Sequence, residues 1–365
     1  MWKYGTSDGV EEKRTVFSDA KTTVHLPRAR WYYPNGGASG FYRFLLDDAA
    51  LDALVPAMQT GLAAHERLNL LDNQFALVRA GQRSLASYMR LLAGYREETD
   101  RAVVGTLIDH LAWLWLHVVD DAVEKPFATL VEELLWPQWQ SLGWDTRPTD
   151  SDDDRLRRAA VAAALGSIAR STTIRREARQ RLERYWSDPK SLDPNLVSVV
   201  ANISALDGDA ALYERYLERK RQASTDPEEE YRFLLALASF EQPALIQRTL
   251  ELTFSDEVRV QDCPSLLAAL LGRRQSRPAA WKFVRARWQT LTEILDPMLV
   301  QNLIRALGQV TYQPAAAEVC SFLQDHVREE TRETTAQVCE QLRLDALAVE
   351  RLRSELPRAL TQHSG

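Results

Sequence analysis

From Asp47 to the C-terminus, apolar residues recur at the spacing of a helix turn, and this repetition restricts most of the chain to a helical body. Leu51, Leu54, Val55, Met58 and Leu62 make one apolar face. Leu68, Leu71, Phe75 and Val78 make a second, and Val103, Leu107, Leu111, Leu114 and Val118 a third. Helix starts are written as an acceptor followed by proline, as in Asp193-Pro194 and Asp226-Pro227-Glu228-Glu229. The carboxylate accepts from the unpaired first-turn amides, and proline loses no bond at that position. The pattern predicts about sixteen helices of roughly 10–20 residues joined by short loops. Short loops press each helix against its neighbour in sequence, which predicts a HEAT/armadillo-like α-solenoid; a globular helical bundle is the alternative. No strict period is visible, so the repeats are degenerate.

The first 46 residues read differently. Lys13-Arg14-Thr15-Val16-Phe17, Thr22-Thr23-Val24-His25-Leu26 and Arg30-Trp31-Tyr32-Tyr33 are β-branched or aromatic, with Ser18-Asp19-Ala20, Pro27 and Pro34-Asn35-Gly36-Gly37 between and after them. They predict a small, partial antiparallel β-sheet over 1–46 that leans on the helices of 47–365, with Phe41 and Tyr42 near the joint.

Composition narrows the function classes. A net charge of −6 and a pI near 5.7 give no basic footprint for nucleic acid. The N-terminus Met1-Trp2-Lys3-Tyr4-Gly5 has no apolar signal-peptide core. The longest apolar run, Leu111 to Val119, falls far short of the roughly 20 residues that a membrane span needs, and reads as a buried helix. Cys263, Cys320 and Cys339 are odd in number and widely spaced, which favours a reducing, cytoplasmic compartment over a disulfide framework.

Motifs for chemistry are sparse. His110 and His117 share a helix face near Asp109, Asp120 and Asp121, but zinc requires three or four convergent ligands, and packing beside Trp113 and Trp115 is the simpler reading. No G-x-S-x-G elbow occurs, and Asn35-Gly36-Gly37-Ala38-Ser39-Gly40 precedes a strand-like segment instead of following one. The run Thr149-Asp150-Ser151-Asp152-Asp153-Asp154 lacks the glycine and distal glutamate of a calcium loop and reads as a linker ending in a helix cap. No catalytic residue and no metal ligand is predicted.

Four short segments in a fixed order carry a family resemblance: Gly40-Phe41-Tyr42-Arg43; Leu70-Leu71-Asp72-Asn73-Gln74-Phe75; Val258-Arg259-Val260-Gln261-Asp262; and Ala280-Trp281-Lys282-Phe283-Val284. The set resembles the C-terminal part of zinc aminopeptidases of the aminopeptidase N and antigen-trimming type. In that family an N-x-x-x-x-G-F-Y-R-V-x-Y pattern closes a small β-sandwich; here Asn35 to Leu46 is similar, with Phe44 and Leu46 departing. The family's zinc motif, H-E-x-x-H, is nowhere in the 365 residues.

The resemblance implies a non-catalytic C-terminal domain that encloses the active-site chamber and shapes peptide access. It places zinc in a catalytic domain outside this chain and makes peptide substrate, together with that domain, the partner. An unpaired sheet edge at the start favours a piece of a longer protein over a natural short one. One site residue follows from the resemblance. Gln309, after the helix Leu299 to Gly308, matches a helix end that overhangs the pocket for the substrate's first side chain. An uncharged amide there implies a broad preference. The plainer reading is a solvated residue at a helix end, and a one-residue shift in alignment moves the assignment to Val310. A stand-alone helical-repeat scaffold that binds another protein is the alternative function. An open reading frame continuing into H-E-x-x-H separates the two.

Overall fold

The computed structural model describes residues 1–363. It is mostly helical, with one three-stranded antiparallel sheet at the N-terminus. The helices form two compact units: one of residues 1–113, 120–164 and 352 onward, the other of 114–119 and 165–351.

The first unit carries the sheet. Strands β1 (Trp2–Gly5), β2 (Val10–Lys13) and β3 (Trp31–Tyr33) pair in the order β2-β1-β3. Register runs Trp2 opposite Lys13 on one side and Lys3 opposite Tyr33 on the other. Two of the predicted strand segments are corrected: Thr22–Leu26 is irregular, and Lys13–Phe17 is strand only at Lys13. The strands that form instead, Trp2–Gly5 and Val10–Lys13, are polar or partly exposed and are held by main-chain pairing with each other and, for β1, with β3. The sheet meets the helices through β3, against Asp48–Leu54. Trp31 is the wedge: a Cβ on Gly5 or on Gly61 would run into its indole, so both neighbours are bare backbone.

The joint at Phe41 and Tyr42 differs from expectation. Phe41 is fully exposed, and the Tyr42 hydroxyl donates to the Pro34 carbonyl at 2.6 Å, folding the segment back on its own turn. The seal is made by amides. Asn35 donates to the Gly40 carbonyl (3.1 Å) and accepts from the Gly40 N–H (2.8 Å), closing the loop. A Cβ on Gly40 would strike the Tyr42 ring. Asn73, fully buried on the helix Ala64–Arg79, accepts from the Phe44 N–H (3.0 Å) and donates to the Phe44 carbonyl (2.7 Å). Arg43 pairs with Asp72 at 2.6 Å beside it. Two of the four segments that carry the resemblance therefore meet, and their polar residues are a clasp.

In the second unit helices pack as neighbours in sequence. Thr172–Ser187 lies on Pro194–Leu206, and Ala210–Gln222 on Pro227–Ala236. Pro194–Leu206 also packs on Pro227–Ala236, and Cys263–Leu271 on Pro297–Leu307. The predicted starts hold: Asp193 accepts from the Asn195 N–H at 2.9 Å, and Asp226 from the Glu229 N–H at 3.1 Å. Tyr213, Tyr216, Phe233 and Phe240 fill the interior, with edge-on ring centroids 5.1–5.4 Å apart.

Candidate functional site

The helix Pro297–Leu307 is capped by Asp296, which accepts from the Met298 and Leu299 amides, and it buries Val300, Leu303, Ile304 and Leu307. Its end tightens into successive i→i+3 bonds: Gly308 N–H to Arg305 O, Gln309 N–H to Ala306 O, and Val310 N–H to Leu307 O, all 3.0–3.1 Å. Gly308 keeps right-handed helical angles (φ −59°), so it is not the left-handed glycine of a usual helix stop. The tightening sends Val310 wholly into the core and leaves Gln309 half-buried. Of these two positions, only Gln309 keeps exposure to solvent.

The loop after Gln309 is rigidly held. Thr311, 1% exposed, bonds the His117 Nδ1 through its hydroxyl at 2.7 Å. The segment of His117 is fixed in turn: the buried Arg277 donates to the Leu116 carbonyl (2.9 Å) and, through Nε, to the Leu271 carbonyl (2.8 Å). The Arg274 guanidinium sits 4.7 Å from the Trp115 ring. Gln309 thus lies half-buried at the start of a loop held by Thr311, His117 and Arg277.

No reaction chemistry assembles around it. Among the described residues, no group of three or more His, Cys, Asp or Glu is placed to hold a metal ion. His110 is bonded at Nδ1 to the Tyr88 hydroxyl (2.7 Å) and stacked on Phe75 at 4.0 Å. Burial pushes its pKa down to about 4, so the ring is neutral at pH 7. His117 is engaged with Thr311, as above. One near-motif escaped the sequence reading. His65-Glu66 begins like a zinc-peptidase helix, but the position of the second histidine is Asn69. The Glu66 carboxylate accepts from Lys3 Nζ (2.7 Å) and from the amides of Gly37 (2.7 Å) and Ala63 (2.8 Å), which makes it a structural tie between helix and sheet. The residues present do not fit zinc.

The other two landmark segments are structural as well. Arg259 pairs with Asp262 at 2.9 Å across a single 3-10 turn that opens the helix Cys263–Leu271. Trp281 stands edge-on to Phe322 at 5.4 Å, and Phe283 faces Phe254 at 5.7 Å. The Thr149–Asp154 run ends in a helix cap, as predicted: Ser151 and Asp154 exchange amide-to-side-chain bonds of 3.0–3.1 Å at the start of Asp152–Ser167. A second feature the sequence reading missed is a cavity of about 660 Å³ lined by Arg170, Arg175, Arg176 and Arg179. Arg170 pairs there with Glu241 and Arg175 with Asp207, so much of its positive charge is met within the protein.

No described helix is long and apolar enough to cross a membrane. The family model for the ERAP1-like C-terminal domain matches residues 31–344. Aminopeptidase M1-C of Oryza sativa subsp. japonica is 26% identical over 346 residues, covering 91% of this chain and 39% of the relative. Aminopeptidase M1 of Arabidopsis thaliana is 28% identical over 336 residues, covering 89% and 38%. Aminopeptidase 2, mitochondrial, of Saccharomyces cerevisiae is 24% identical over 299 residues, covering 80% and 31%. The chain spans about two-fifths of the length of the curated plant relatives it matches. With 314 consecutive residues inside the family's boundaries, and with the helical body and N-terminal sheet described above, the chain belongs to the ERAP1-like C-terminal domain family of M1 aminopeptidases.

Proposed function

We propose that this chain is the non-catalytic C-terminal domain of a zinc aminopeptidase, and that its helix hairpins stack as an α-solenoid enclosing the chamber where peptides meet the zinc. One observation carries the reading: the alignments take in about nine-tenths of this chain but only 38–39% of the plant relatives named aminopeptidase. Hydrolysis, and zinc with it, belongs to a catalytic domain outside these residues. A helical wall over a zinc cleft would admit peptide ends, exclude folded proteins and limit water at the reacting carbonyl. Rocking of that wall would gate entry and product release. Cytoplasmic placement is supported by the three free cysteines.

Within this function, Gln309 is the residue that reads the substrate's first side chain. Its support is positional: it is half-exposed on a loop braced by Thr311, His117 and Arg277, while Val310 is sealed in the core. An amide accepts from a basic side chain without penalising an apolar one. The test uses the full-length enzyme. Gln309→Asp adds a carboxylate and should raise kcat/KM for arginyl over leucyl nitroanilides by about tenfold, the size of one modest charged hydrogen bond. A ratio that does not move removes Gln309 from the site.

A further inference from the structure

We propose that Cys320 and Cys339 form a thiol-oxidation site, a dithiol that reacts with a low-molecular-weight disulfide and closes into an intramolecular disulfide. The two residues face each other reciprocally across neighbouring helices, Ala315–Asp325 and Arg332–His363. The Cys320 sulfur is 3.7 Å from the Cys339 carbonyl oxygen, and the Cys339 sulfur is 3.8 Å from the Cys320 carbonyl oxygen. Each thiol reaches the other residue's main chain, which sets the two side chains next to each other. Cys263 is different. It is buried and donates to the Thr253 carbonyl at 3.1 Å.

Access is built in. Both cysteines are half-buried and line a cavity of about 570 Å³ that also holds Gln313, Gln324, Glu340 and Arg343. Arg343 suits a carboxylate and Glu340 an ammonium group, so the reagent class is a small zwitterionic disulfide such as glutathione disulfide. In the first step one cysteine loses its proton to solvent, and its thiolate attacks a reagent sulfur. The reagent's S–S bond breaks and one glutathione thiolate leaves. The second cysteine, deprotonated in the same way, attacks the protein sulfur of the mixed disulfide, forms the Cys320–Cys339 bond and expels the second glutathione. Two protein thiols are oxidised and one disulfide is reduced to two thiols. Burial, and next the hydrogen bond with Cys339, push the Cys320 thiol up to about 12, so Cys320 rests as a thiol at neutral pH and reacts faster in alkali. The link would pin together two helices that follow the Gln309 loop in sequence.

The experiment treats the pure chain with excess glutathione disulfide at alkaline pH, followed by intact mass, alkylation of the remaining thiols and peptide mapping. The expected product has lost two thiols, carries no glutathione, links the Cys320 and Cys339 peptides and keeps Cys263 free. Cys320→Ser and Cys339→Ser should each trap one glutathione as a mixed disulfide. The linked form should melt about 5 °C or more above the reduced form, because the bond closes a loop between residues 19 apart in sequence. A wild-type chain that keeps all three thiols, retains stable mixed disulfides or links only between molecules would overturn the proposal. So would a link that leaves the melting temperature unchanged, since that link forms only in unfolded molecules.

Discussion

The N-terminal sheet and the helix hairpins between Thr172 and Leu252 are held together by different physics. The segment that joins the sheet to the helices is fastened by buried polar side chains that bond main chain: Asn35 on Gly40, Asn73 on Phe44, and Glu66 on Gly37 and Ala63. The hairpins are fastened by aromatic volume, with Tyr213, Tyr216, Phe233 and Phe240 in mutual contact. Only the Tyr216 hydroxyl (to the Ala201 carbonyl, 2.7 Å) and that of Tyr213 (to Thr249, 3.0 Å) need partners there. Directed bonds fix one path for the segment that leads from the sheet to the helices. Apolar burial gives more stability per residue but tolerates exchange of one helix side chain for another. The first arrangement is specific and weak, the second strong and permissive.

The largest expected effect sits in the hairpins. Phe233→Ala removes a ring that is wholly buried between Tyr216 and Trp186 and should cost about 4 kcal/mol in urea denaturation. Phe233→Leu should recover more than half of that if the site is permissive; equal losses would show that ring geometry, not volume, holds it.

His110 sets the next effect, through pH. The ordinary histidine pKa is 6.5 and the folded value is about 4, because burial opposes the charged ring. The unfolded chain takes up the proton first, so protonation favours unfolding. The contribution is fully present above pH 6.5 and is lost as pH falls toward 4, by roughly 3 kcal/mol in all. Denaturation midpoints of the wild type should therefore drop between pH 6.5 and 5, and His110→Gln should flatten that drop while keeping a bond to Tyr88. The Glu66 carboxylate acts lower. Burial pushes Glu66 up, but Lys3 and the amides of Gly37 and Ala63 outweigh it and hold the carboxyl below its ordinary range. Its contribution is present above the ordinary glutamate pKa and disappears only as pH falls through the lower folded value. A parallel drop in His110→Gln across pH 6.5 to 5 would contradict the assignment to the histidine.

Asn73→Ala should cost about 2 kcal/mol, the penalty for leaving the Phe44 N–H and carbonyl without their buried partner. Hydrogen exchange should then rise at Gly40–Leu46 while the hairpins stay protected. Uniform loosening of both regions would erase the contrast drawn here.

Much of the helical body was legible because its information is local. Asp193-Pro194 and Asp226-Pro227 announce caps, and the spacing of Leu68, Leu71, Phe75 and Val78 announces a face that is buried at all but the half-buried Leu68. The sheet was legible only as a region. Thr22–Leu26 has strand composition yet pairs with nothing, while Val10-Glu11-Glu12-Lys13 is largely polar and pairs along its whole length. Strand choice depends on a partner far along the chain, which composition does not encode. The clasp was invisible for the same reason: Asn35, Asn69 and Asn73 are ordinary turn and helix residues until the fold brings them to Tyr33, Gly40 and Phe44. For the candidate site, the sequence placed Gln309 at a helix end, but its brace from His117 spans 194 positions and had no local signal.

The central claim is that these 365 residues form a C-terminal domain without hydrolytic chemistry of its own. Its most direct test is the purified chain, assayed for hydrolysis of aminoacyl nitroanilides and for bound zinc by elemental analysis. The account predicts no hydrolysis and no stoichiometric zinc, since Glu66 is spent on Lys3 and two amides and no three-ligand cluster lies among the described residues. Hydrolysis that a chelator abolishes, with one zinc per chain, would contradict it.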